Sequence, residues 1–302
     1  MKPSKQAQEL VTTSIKDVAI LGMGLIGGSI AKDLQDSMPD SRIFSIGKSD
    51  DGDLATTASV ITGSLDYSEI GENISLIIIA TPLDDIISVA AKLIDQLKDT
   101  RKSKPLLIMD VGSVKKEITD NFEKFTRENP GLEFVSTHPM AGTEFSGFRH
   151  AKKHLFKGKP WIVCPHQANT SKALNLTNAF IQVFNAIPST VDADTHDKWS
   201  ALTSHGVIAL SNLLFDFVWQ TDPKALEIAG SGFDSTTRLA SGNPDMHASI
   251  VFMNSRYVQE YLKEFLKFLA DRSLDDLNLT FFQNNQKHRD EWIRSLRNTK
   301  FN

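Results

Sequence analysis

The chain has 302 residues, of which 40% are hydrophobic and 23% are charged, and its 33 basic and 37 acidic residues give a net charge of −4. This length allows about two domains with buried cores, and the charge balance gives no electrostatic reason to expect nucleic-acid binding. The single cysteine, Cys164, excludes an intrachain disulfide and fits a reducing, cytoplasmic setting.

The N-terminal residues 1–14 are polar and contain no apolar segment of the kind that a secretory signal needs. We therefore expect a flexible tail there. No later stretch approaches the ~20 apolar residues needed to span a bilayer, so we expect no membrane segment.

The first predicted strand, residues 18–21, runs directly into the turn Gly22-Met23-Gly24-Leu25-Ile26-Gly27. In this G-x-G-x-x-G pattern the first glycine permits a tight turn, the second lets the backbone approach a pyrophosphate, and the third lets the next helix pack close to the sheet. Ile26, Ile30 and Leu34 recur at helical spacing, which predicts a helix whose free N–H groups face the phosphates. The order of strand, turn and helix predicts a dinucleotide site, and a plain glycine turn in another α/β protein is the alternative.

The second predicted strand, residues 42–46, ends where an NAD-type fold carries an Asp or Glu that binds the ribose 2′-hydroxyl. The segment 45–49 reads Ser-Ile-Gly-Lys-Ser and has no carboxylate. A carboxylate would repel a 2′-phosphate, whereas Lys48 and Ser49 could bind one, so we predict an NAD(P) site that favours NADP over NAD. A slipped register in which Asp50 or Asp51 binds the ribose stays open, as does a merely solvated Lys48.

Further predicted strands at 76–80, 106–111, 133–136 and 161–164 alternate with helices, which indicates a mostly parallel, doubly wound sheet covered on both faces. Ligands of such sheets bind outside the carboxyl ends of the strands. Several glycine and polar residues follow these strands, and we expect them along one rim. The residues predicted to bind the cofactor are Gly22, Gly24, Leu25, Ile26, Gly27, Lys48, Ser49, Thr81, Pro82 and Ser113.

Beyond about residue 190 the strands give way to helical periodicity. Long helices are predicted over residues 195–219 and 246–270, and a solvated helix near the C-terminus. We therefore predict an α/β Rossmann domain over residues 1–190 and an all-helical domain over residues 191–302. The apolar helix faces of the second domain suit a homodimer interface.

A dehydrogenase removes a proton from a hydroxyl group while hydride leaves the same carbon. Histidine suits this role because its unperturbed pKa is near 6.5. Of the eight histidines, only His138 directly follows a predicted strand of the sheet. We therefore predict that His138 is catalytic, and we predict no metal site.

In the segments that carry these residues, the chain resembles the prephenate/arogenate dehydrogenases of tyrosine biosynthesis. The matching segments, in the family's order, are GMGLIGGSIA (22–31), DVGSVK (110–115), HPMAGTEFSG (138–147), LFKGK (155–159), THDKWSALTSH (195–205) and GFDSTTRLA (232–240). The resemblance implies hydride transfer from a cyclohexadienol to NAD(P) with loss of CO₂. Prephenate would give 4-hydroxyphenylpyruvate, and arogenate would give tyrosine.

We favour prephenate because it is the commoner substrate in that family, and arogenate is the alternative. Two further alternatives are a 3-hydroxy-acid dehydrogenase, whose lysine motif is not recognised here, and a dinucleotide-binding regulator without turnover.

The resemblance also implies roles for individual residues. His138 would take the proton of the substrate hydroxyl, and Ser113 would orient that histidine near the nicotinamide. Arg238 would bind a substrate carboxylate through its bidentate fork. As alternatives, Ser113 could merely cap the following helix, and Arg238 could be exposed or pair with Asp234.

Further substrate contacts are implied for the loop after His138 and for the helical domain. Thr143 and Glu144 match the loop that closes over the substrate, and His205 matches a pocket histidine. Glu144 could instead be a solvated carboxylate, and His205 could be a core residue with satisfied hydrogen bonds. Asp197, next to His196, could be a hydrogen-bond acceptor between domains.

The chain departs from the family pattern in the helical domain. Many members carry Ser-His-Leu-Pro-His, whereas residues 204–208 read Ser-His-Gly-Val-Ile, so Ile208 replaces the second histidine. The family's Asp-Pro-x-Met-Trp-Arg-Asp pattern appears at 243–249 without its tryptophan and arginine. Because position 208 lies near the substrate side chain in the family, the choice between prephenate and arogenate stays open.

Overall fold

The computed structural model describes residues 4–100, 105–143 and 145–298. In the N-terminal part, helices flank an eight-stranded sheet. The strands are Asp17–Leu21 (β1), Ile43–Ile46 (β2), Gly63–Leu65 (β3), Ile74–Ile79 (β4), Leu106–Asp110 (β5), Leu132–Pro139 (β6), Pro160–Cys164 (β7) and Ile187–Thr190 (β8). The helices of this part are Lys5–Ser14 (α1), Leu25–Ser37 (α2), Asp50–Thr57 (α3), Ile86–Thr100 (α4), Lys116–Glu128 (α5) and Ser171–Val183 (α6).

The sheet has the strand order β3-β2-β1-β4-β5-β6-β7-β8, and every neighbouring pair is parallel except β6 and β7. The prediction of a mostly parallel, doubly wound sheet is confirmed. Successive residues of β1 pack on opposite faces: Val18 and Ile20 join one apolar core, and Ala19 and Leu21 join the other. Both faces are therefore covered, and each buried Leu or Ile side chain contributes about 1.5–3 kcal/mol.

Strand β6 changes partner along its length, and this change places His138. Its first half pairs in parallel with β5, up to Val135 opposite Met109. From Ser136 onward it pairs antiparallel with β7, and His138 lies opposite Ile162. His138 therefore lies inside the strand, where the extension carries it past the parallel pairing with β5, and not in a loop after the strand as predicted.

The N-terminal residues form an ordered helix, which corrects the expected flexible tail for residues 5–14. Helix α1 begins after Ser4, whose hydroxyl accepts a hydrogen bond from the Ala7 N–H at 3.1 Å. Ala7, Val11 and Ile15 are buried in the core that α6 also lines. This i, i+4, i+8 spacing is one apolar stripe, so tertiary packing holds a helix whose composition is otherwise polar.

The C-terminal part is helical throughout the residues described. Its helices are Ala193–Ser200 (α7), Gly206–Thr221 (α8), Ser231–Thr237 (α9), Pro244–Met253 (α10), Ser255–Ala270 (α11) and Leu279–Asn298 (α12). A π-helical turn, Ala201–His205, joins α7 and α8 into the continuous helix predicted over 195–219. The helix predicted over 246–270 is wrong in one respect, because Asn254 interrupts it between α10 and α11.

The C-terminal helices expose a large apolar surface. Trp199, Phe217, Trp219, Phe252 and Leu266 each expose more than half of their area, with Phe252 reaching 79%. The continuous helix Ala193–Thr221 is long and apolar enough to cross a membrane by length and composition alone. The expectation that no such stretch exists was too strict. The N-terminal half of this helix, however, carries polar side chains that bind the sheet part of the chain, as described below.

Candidate active site

The glycine turn after β1 has the geometry that its sequence predicts. Gly22 has φ +89°, and a Cβ there would lie 2.4 Å from the carbonyl oxygen of Ala80. A Cβ on Gly27 would lie 2.1 Å from the Gly22 oxygen, so both positions need glycine for close backbone packing. A Cβ on Gly24, by contrast, would meet no atom within 4 Å. The space beside Gly24 is therefore not filled by the chain's own atoms and can admit a ligand.

The atoms around this turn fit a dinucleotide. Helix α2 begins at Leu25 after Gly24, and no side chain caps its first amides, which include those of Leu25 and Ile26. The hydroxyl oxygen of Thr81 is buried and has no hydrogen-bond partner among the described residues. Pro82 directly follows it and precedes a short helical turn. Unpaired donors at a helix N-terminus suit phosphate groups.

The residues from which we predict NADP rather than NAD lie just after β2. Lys48 and Ser49 follow Gly47 and are exposed. The Ser49 hydroxyl caps α3 by accepting a hydrogen bond from the Gly52 N–H at 3.1 Å, and its own proton stays available. Asp50 and Asp51 lie in the first turn of α3, so the alternative that one of them binds a ribose also remains geometrically open.

A buried ion pair braces the connection between β5 and α5 against β6. Lys115 is fully buried, and its ammonium group contacts Asp110 and donates to the carbonyl oxygen of Thr137 at 2.8 Å. The Asp110 carboxylate also accepts from the Gly112 N–H at 2.8 Å and from the Thr137 N–H at 2.9 Å. Each charge is thus paired and hydrogen-bonded, as a buried charge must be. These bonds fix the backbone immediately before His138.

Asp197 of α7 caps helix α5. Its two carboxylate oxygens accept hydrogen bonds from the backbone N–H groups of Lys115 at 2.7 Å and Lys116 at 2.8 Å. Asp197 is therefore an acceptor that joins the helical part to the sheet part, as the sequence suggested. Ser113 is half-buried in the preceding loop and does not cap α5, because the helix begins three residues later, at Lys116.

A chain of hydrogen bonds links His138 to Asp197. His138 Nδ1 lies 2.9 Å from His196 Nε2, and His196 Nδ1 lies 2.8 Å from Asp197 Oδ1. His196 and Asp197 are buried, whereas the His138 ring is half-buried. Among the described residues, no partner is found for His138 Nε2. One nitrogen of His138 is thus held by the helical part, and the other is free to meet a ligand.

The surroundings of His138 keep it neutral. Burial lowers the pKa of its imidazole well below 6.5, and Coulombic interactions with His196, Lys115 and His205 lower it further. A neutral imidazole at neutral pH is the form that accepts a proton.

His205 lies in the π-helical turn and is buried. Its Nδ1 lies 2.9 Å from the amide nitrogen of Asn254, which also donates to the Asp197 carbonyl oxygen at 2.8 Å. Burial lowers the pKa of His205 to about 4. For His205 we predicted a substrate contact, with a core role as the alternative. The bond to Asn254 satisfies one ring nitrogen, and Nε2 remains for a further contact.

The remaining predicted substrate residues lie farther from these networks or outside the described residues. Arg238 is exposed at the start of a short helical turn, Arg238–Ser241, and in the part of the chain described here it forms no ion pair with Asp234. Thr143 is half-buried, and its hydroxyl lies 3.4 Å from the Phe145 N–H. Glu144 lies outside the described residues.

Sequence reasoning missed three contributors to this site: Asp110, Lys115 and Asn254. Lys115 and Asp110 belong to the segment DVGSVK, where a lysine and an aspartate flank a predicted turn at the sheet rim. Asn254 is a polar residue inside an apolar helical stretch, and this mismatch is the signal that could have found it.

Two protein-family models match the chain over most of its length. "Prephenate dehydrogenase, nucleotide-binding domain" matches residues 30–187, and "Prephenate dehydrogenase, dimerization domain" matches residues 192–298. The prephenate dehydrogenase of Bacillus subtilis strain 168 is 30% identical over 264 residues, which cover 84% of this chain and 68% of that protein. The prephenate dehydrogenase of Lactococcus lactis is 28% identical over 266 residues, 86% of this chain and 71% of that protein.

The fold is also that of a solved structure, the prephenate dehydrogenase of A. aeolicus in complex with hydroxyphenyl propionate and NAD⁺. The two chains are 22% identical, with a TM-score of 0.81, and the match covers 93% of this chain and 98% of that one.

Proposed function

The chain belongs to the prephenate dehydrogenase family, and on that premise we propose that it oxidises prephenate to 4-hydroxyphenylpyruvate in tyrosine biosynthesis. In this reaction hydride leaves the hydroxyl-bearing carbon of the ring for NAD(P)⁺, the hydroxyl proton goes to a base, and CO₂ is lost as the ring becomes aromatic. The observation that carries the proposal is the free Nε2 of His138, on a ring whose Nδ1 is held 2.9 Å from His196.

The N-terminal part holds the cofactor. Gly22 and Gly27 form the tight turn, the open space beside Gly24 admits the pyrophosphate, and the amides of Leu25 and Ile26 meet its charge. The nicotinamide, when bound, supplies the hydride acceptor. We further propose that NADP binds more tightly than NAD, because the exposed Lys48 and the Ser49 hydroxyl lie at the end of β2 and offer a cation and a donor to a 2′-phosphate.

His138 is the proposed proton acceptor. Its lowered pKa keeps the imidazole neutral and able to accept at physiological pH. Lys115 donates to the Thr137 carbonyl oxygen and Asp110 accepts from the Thr137 N–H, and these two bonds hold the backbone next to His138. A general base held in this way contributes about 10²–10⁴-fold to a rate. Ser113, in the loop that this ion pair braces, is proposed to orient His138 near the nicotinamide.

The helical part is proposed to bind the substrate's carboxylates and side chain. Arg238 has no ion-pair partner among the described residues, so its fork is available for a carboxylate. Thr143 and Glu144 are proposed to contact the substrate from the loop after β6, and His205 through its Nε2. These contacts would exclude water from the ring being oxidised.

The substrate choice is proposed from Ile208. This side chain is 7% exposed and belongs to an apolar cluster with Ile250, which Leu239 also contacts. An alkyl group accepts no hydrogen bond, and leaving the ammonium of arogenate without a partner costs more than leaving a keto oxygen without one. If the substrate side chain lies beside position 208, as the family resemblance implies, prephenate is favoured over arogenate.

The exposed apolar surface supports a homodimer. Trp199, Phe217, Phe252 and Leu266 are exposed in the single chain and lie within the region matched by the dimerization-domain model. A second copy would cover this face, which also accounts for the apolar helix Ala193–Thr221. We expect sedimentation analysis to give a dimer, and a stable monomer at micromolar concentration would contradict this assignment. We also propose a cytoplasmic location, which fits the buried thiol of Cys164.

Steady-state formation of reduced cofactor from prephenate and from arogenate, each with NAD⁺ and with NADP⁺, tests the proposal. We expect turnover with prephenate and a lower kcat/KM with arogenate. A higher kcat/KM with arogenate would overturn the substrate assignment, and cofactor binding without turnover would indicate a regulator. Dissociation constants of NAD and NADP test the proposed preference for NADP, and about tenfold tighter binding of NAD would contradict it.

A further inference from the structure

We infer that His196 and Asp197 form a positioning pair that fixes the tautomer of His138, so that its free nitrogen is unprotonated and faces the substrate. This inference rests on the proposed function, because it assigns the state of the group proposed to accept the hydroxyl proton. It adds two residues of the helical part to the machinery of a base that lies in the sheet part.

The direction of each hydrogen bond follows from Asp197. Its carboxylate oxygens accept from the backbone N–H groups of Lys115 and Lys116, and a backbone amide can only donate. The site lies at the N-terminus of the 13-residue helix α5, where the helix dipole favours a negative charge. Asp197 is therefore an acceptor in each of these bonds, and the bond of 2.8 Å to His196 Nδ1 requires the proton to be on that nitrogen.

The proton on His196 Nδ1 determines the state of His138. A neutral His196 with its proton on Nδ1 has a bare Nε2, which can only accept. His138 Nδ1, 2.9 Å away, must then be the donor. A neutral His138 with its proton on Nδ1 has a bare Nε2, which is the nitrogen without a protein partner in the described structure. In water the opposite tautomer of histidine predominates, so the pair inverts the intrinsic preference.

The same bonds assist the step that follows. When the substrate hydroxyl gives its proton to His138 Nε2, the imidazole becomes a cation. Its Nδ1–H donates to His196 Nε2, and the Nδ1–H of His196 donates to the carboxylate of Asp197. The negative carboxylate therefore stabilises the cation through this chain of hydrogen bonds. Lys115 and His205 also lie near His138, and both disfavour a cation there, whereas the nearby carboxylate of Asp110 is paired with Lys115. Asp197 is thus the negative group that this hydrogen-bonded chain connects to the charge formed on His138.

One other arrangement of the protons competes with this one. If His196 were an imidazolium, its Nε2–H would donate to His138 Nδ1, and His138 Nε2 would carry a proton and could not act as a base. The hydroxyl of Ser200 also lies 3.5 Å from His196 Nε2, which is at the limit of a hydrogen bond. We assign it no part in fixing the tautomer.

Imidazole NMR of the free protein labelled with ¹⁵N-histidine tests the inference without any substrate. The His138 signals are identified by their loss in His138→Gln. We expect Nδ1 of His138 to be protonated and Nε2 bare in the unmodified protein, and the reverse in His196→Leu. Ser200→Ala is the matched control, and its His138 tautomer should be unchanged. A protonated Nε2 in the unmodified protein, or an unchanged tautomer in His196→Leu, would overturn the inference.

Kinetics with prephenate provide the second measurement. We expect His196→Leu to lower kcat by roughly 10–10³-fold with little change in KM, because wrong-tautomer bases are poor acceptors but substrate contacts remain. His196→Gln, whose amide oxygen can still accept from His138 Nδ1–H, should recover part of that loss. Equal activity of His196→Leu and the unmodified enzyme would contradict the inference. Absence of turnover in the unmodified enzyme would instead refute the proposed function, while the tautomer measurement would still decide the role of the pair.

Discussion

Replacing Asp197 with alanine removes the acceptor that joins the helical part to the sheet part. Asp197 accepts hydrogen bonds from the Lys115 N–H, the Lys116 N–H and the His196 ring. Alanine can accept from none of them. Because Asp197 is 2% exposed, these donors lie where water does not easily replace the lost oxygens. We therefore expect the Asp197→Ala protein to be strongly destabilised.

The size of the effect follows from the number and burial of the donors. Leaving one buried donor unpaired costs about 1–3 kcal/mol, and breaking a buried charge network costs about 3–5 kcal/mol. Lys116 is exposed, and its amide can reach water more easily, so the Lys115 amide and the His196 ring dominate. We expect a loss of about 3–5 kcal/mol in the free energy of unfolding.

Asp192→Ala is the matched control. Asp192 caps α7, the same helix, by accepting from the Thr195 N–H at 2.9 Å, but at an exposed position. Loss of such a cap costs about 1 kcal/mol. Urea unfolding of the two variants at one protein concentration measures the difference, and hydrogen exchange of the first amides of α5 localises it. If Asp197→Ala were no less stable than Asp192→Ala, the interdomain cap would be refuted.

Three further variants test separate parts of the site. Gly24→Ala should keep the unfolding temperature and weaken cofactor binding by about tenfold or more. Gly27→Ala should lower both the unfolding temperature and the affinity for the cofactor, because only its Cβ meets backbone, at 2.1 Å. Unchanged cofactor binding in Gly24→Ala would contradict this reading of the turn. The pKa of His205 is about 4 in the folded protein and 6.5 in the unfolded protein, so the free energy of unfolding falls by up to about 3 kcal/mol as the pH falls from 6.5 toward 4. In His205→Gln the free energy of unfolding should fall less steeply over this pH range. An equal slope against pH in the two proteins would count against the buried, neutral His205. Arg238→Gln should raise KM for prephenate by roughly 10–100-fold, with a smaller change in kcat, and an unchanged KM would exclude the carboxylate role.

Much of the sheet could be predicted because its signals are local. The strand 18–21 and its glycine turn need only adjacent residues, and the apolar run ending at Ile79 is buried on both faces. The helix carrying Ile86, Ala90 and Leu93 was predicted from spacing alone, and all three side chains are fully buried. Helix α1 was missed because its apolar stripe is only one residue wide, so its order depends on packing against α6.

The site could be predicted in part, and its gaps have one cause. His138 is predicted from its place at the sheet rim, but its inclusion in β6 depends on antiparallel pairing with β7, far along the chain. The interruption at Asn254 lies inside a regular helical pattern, and the bonds of its amide to Asp197 and His205 span 57 and 49 residues. Hydrogen bonds of this range leave no periodic signal in a single sequence.

The proton-acceptor role of His138 is tested most directly by the turnover of His138→Asn with prephenate. The change should lower kcat by about 10²–10⁴-fold, as expected for the loss of a general base, while cofactor binding stays normal because the glycine turn is untouched. Near-normal turnover of His138→Asn would mean that another group accepts the hydroxyl proton.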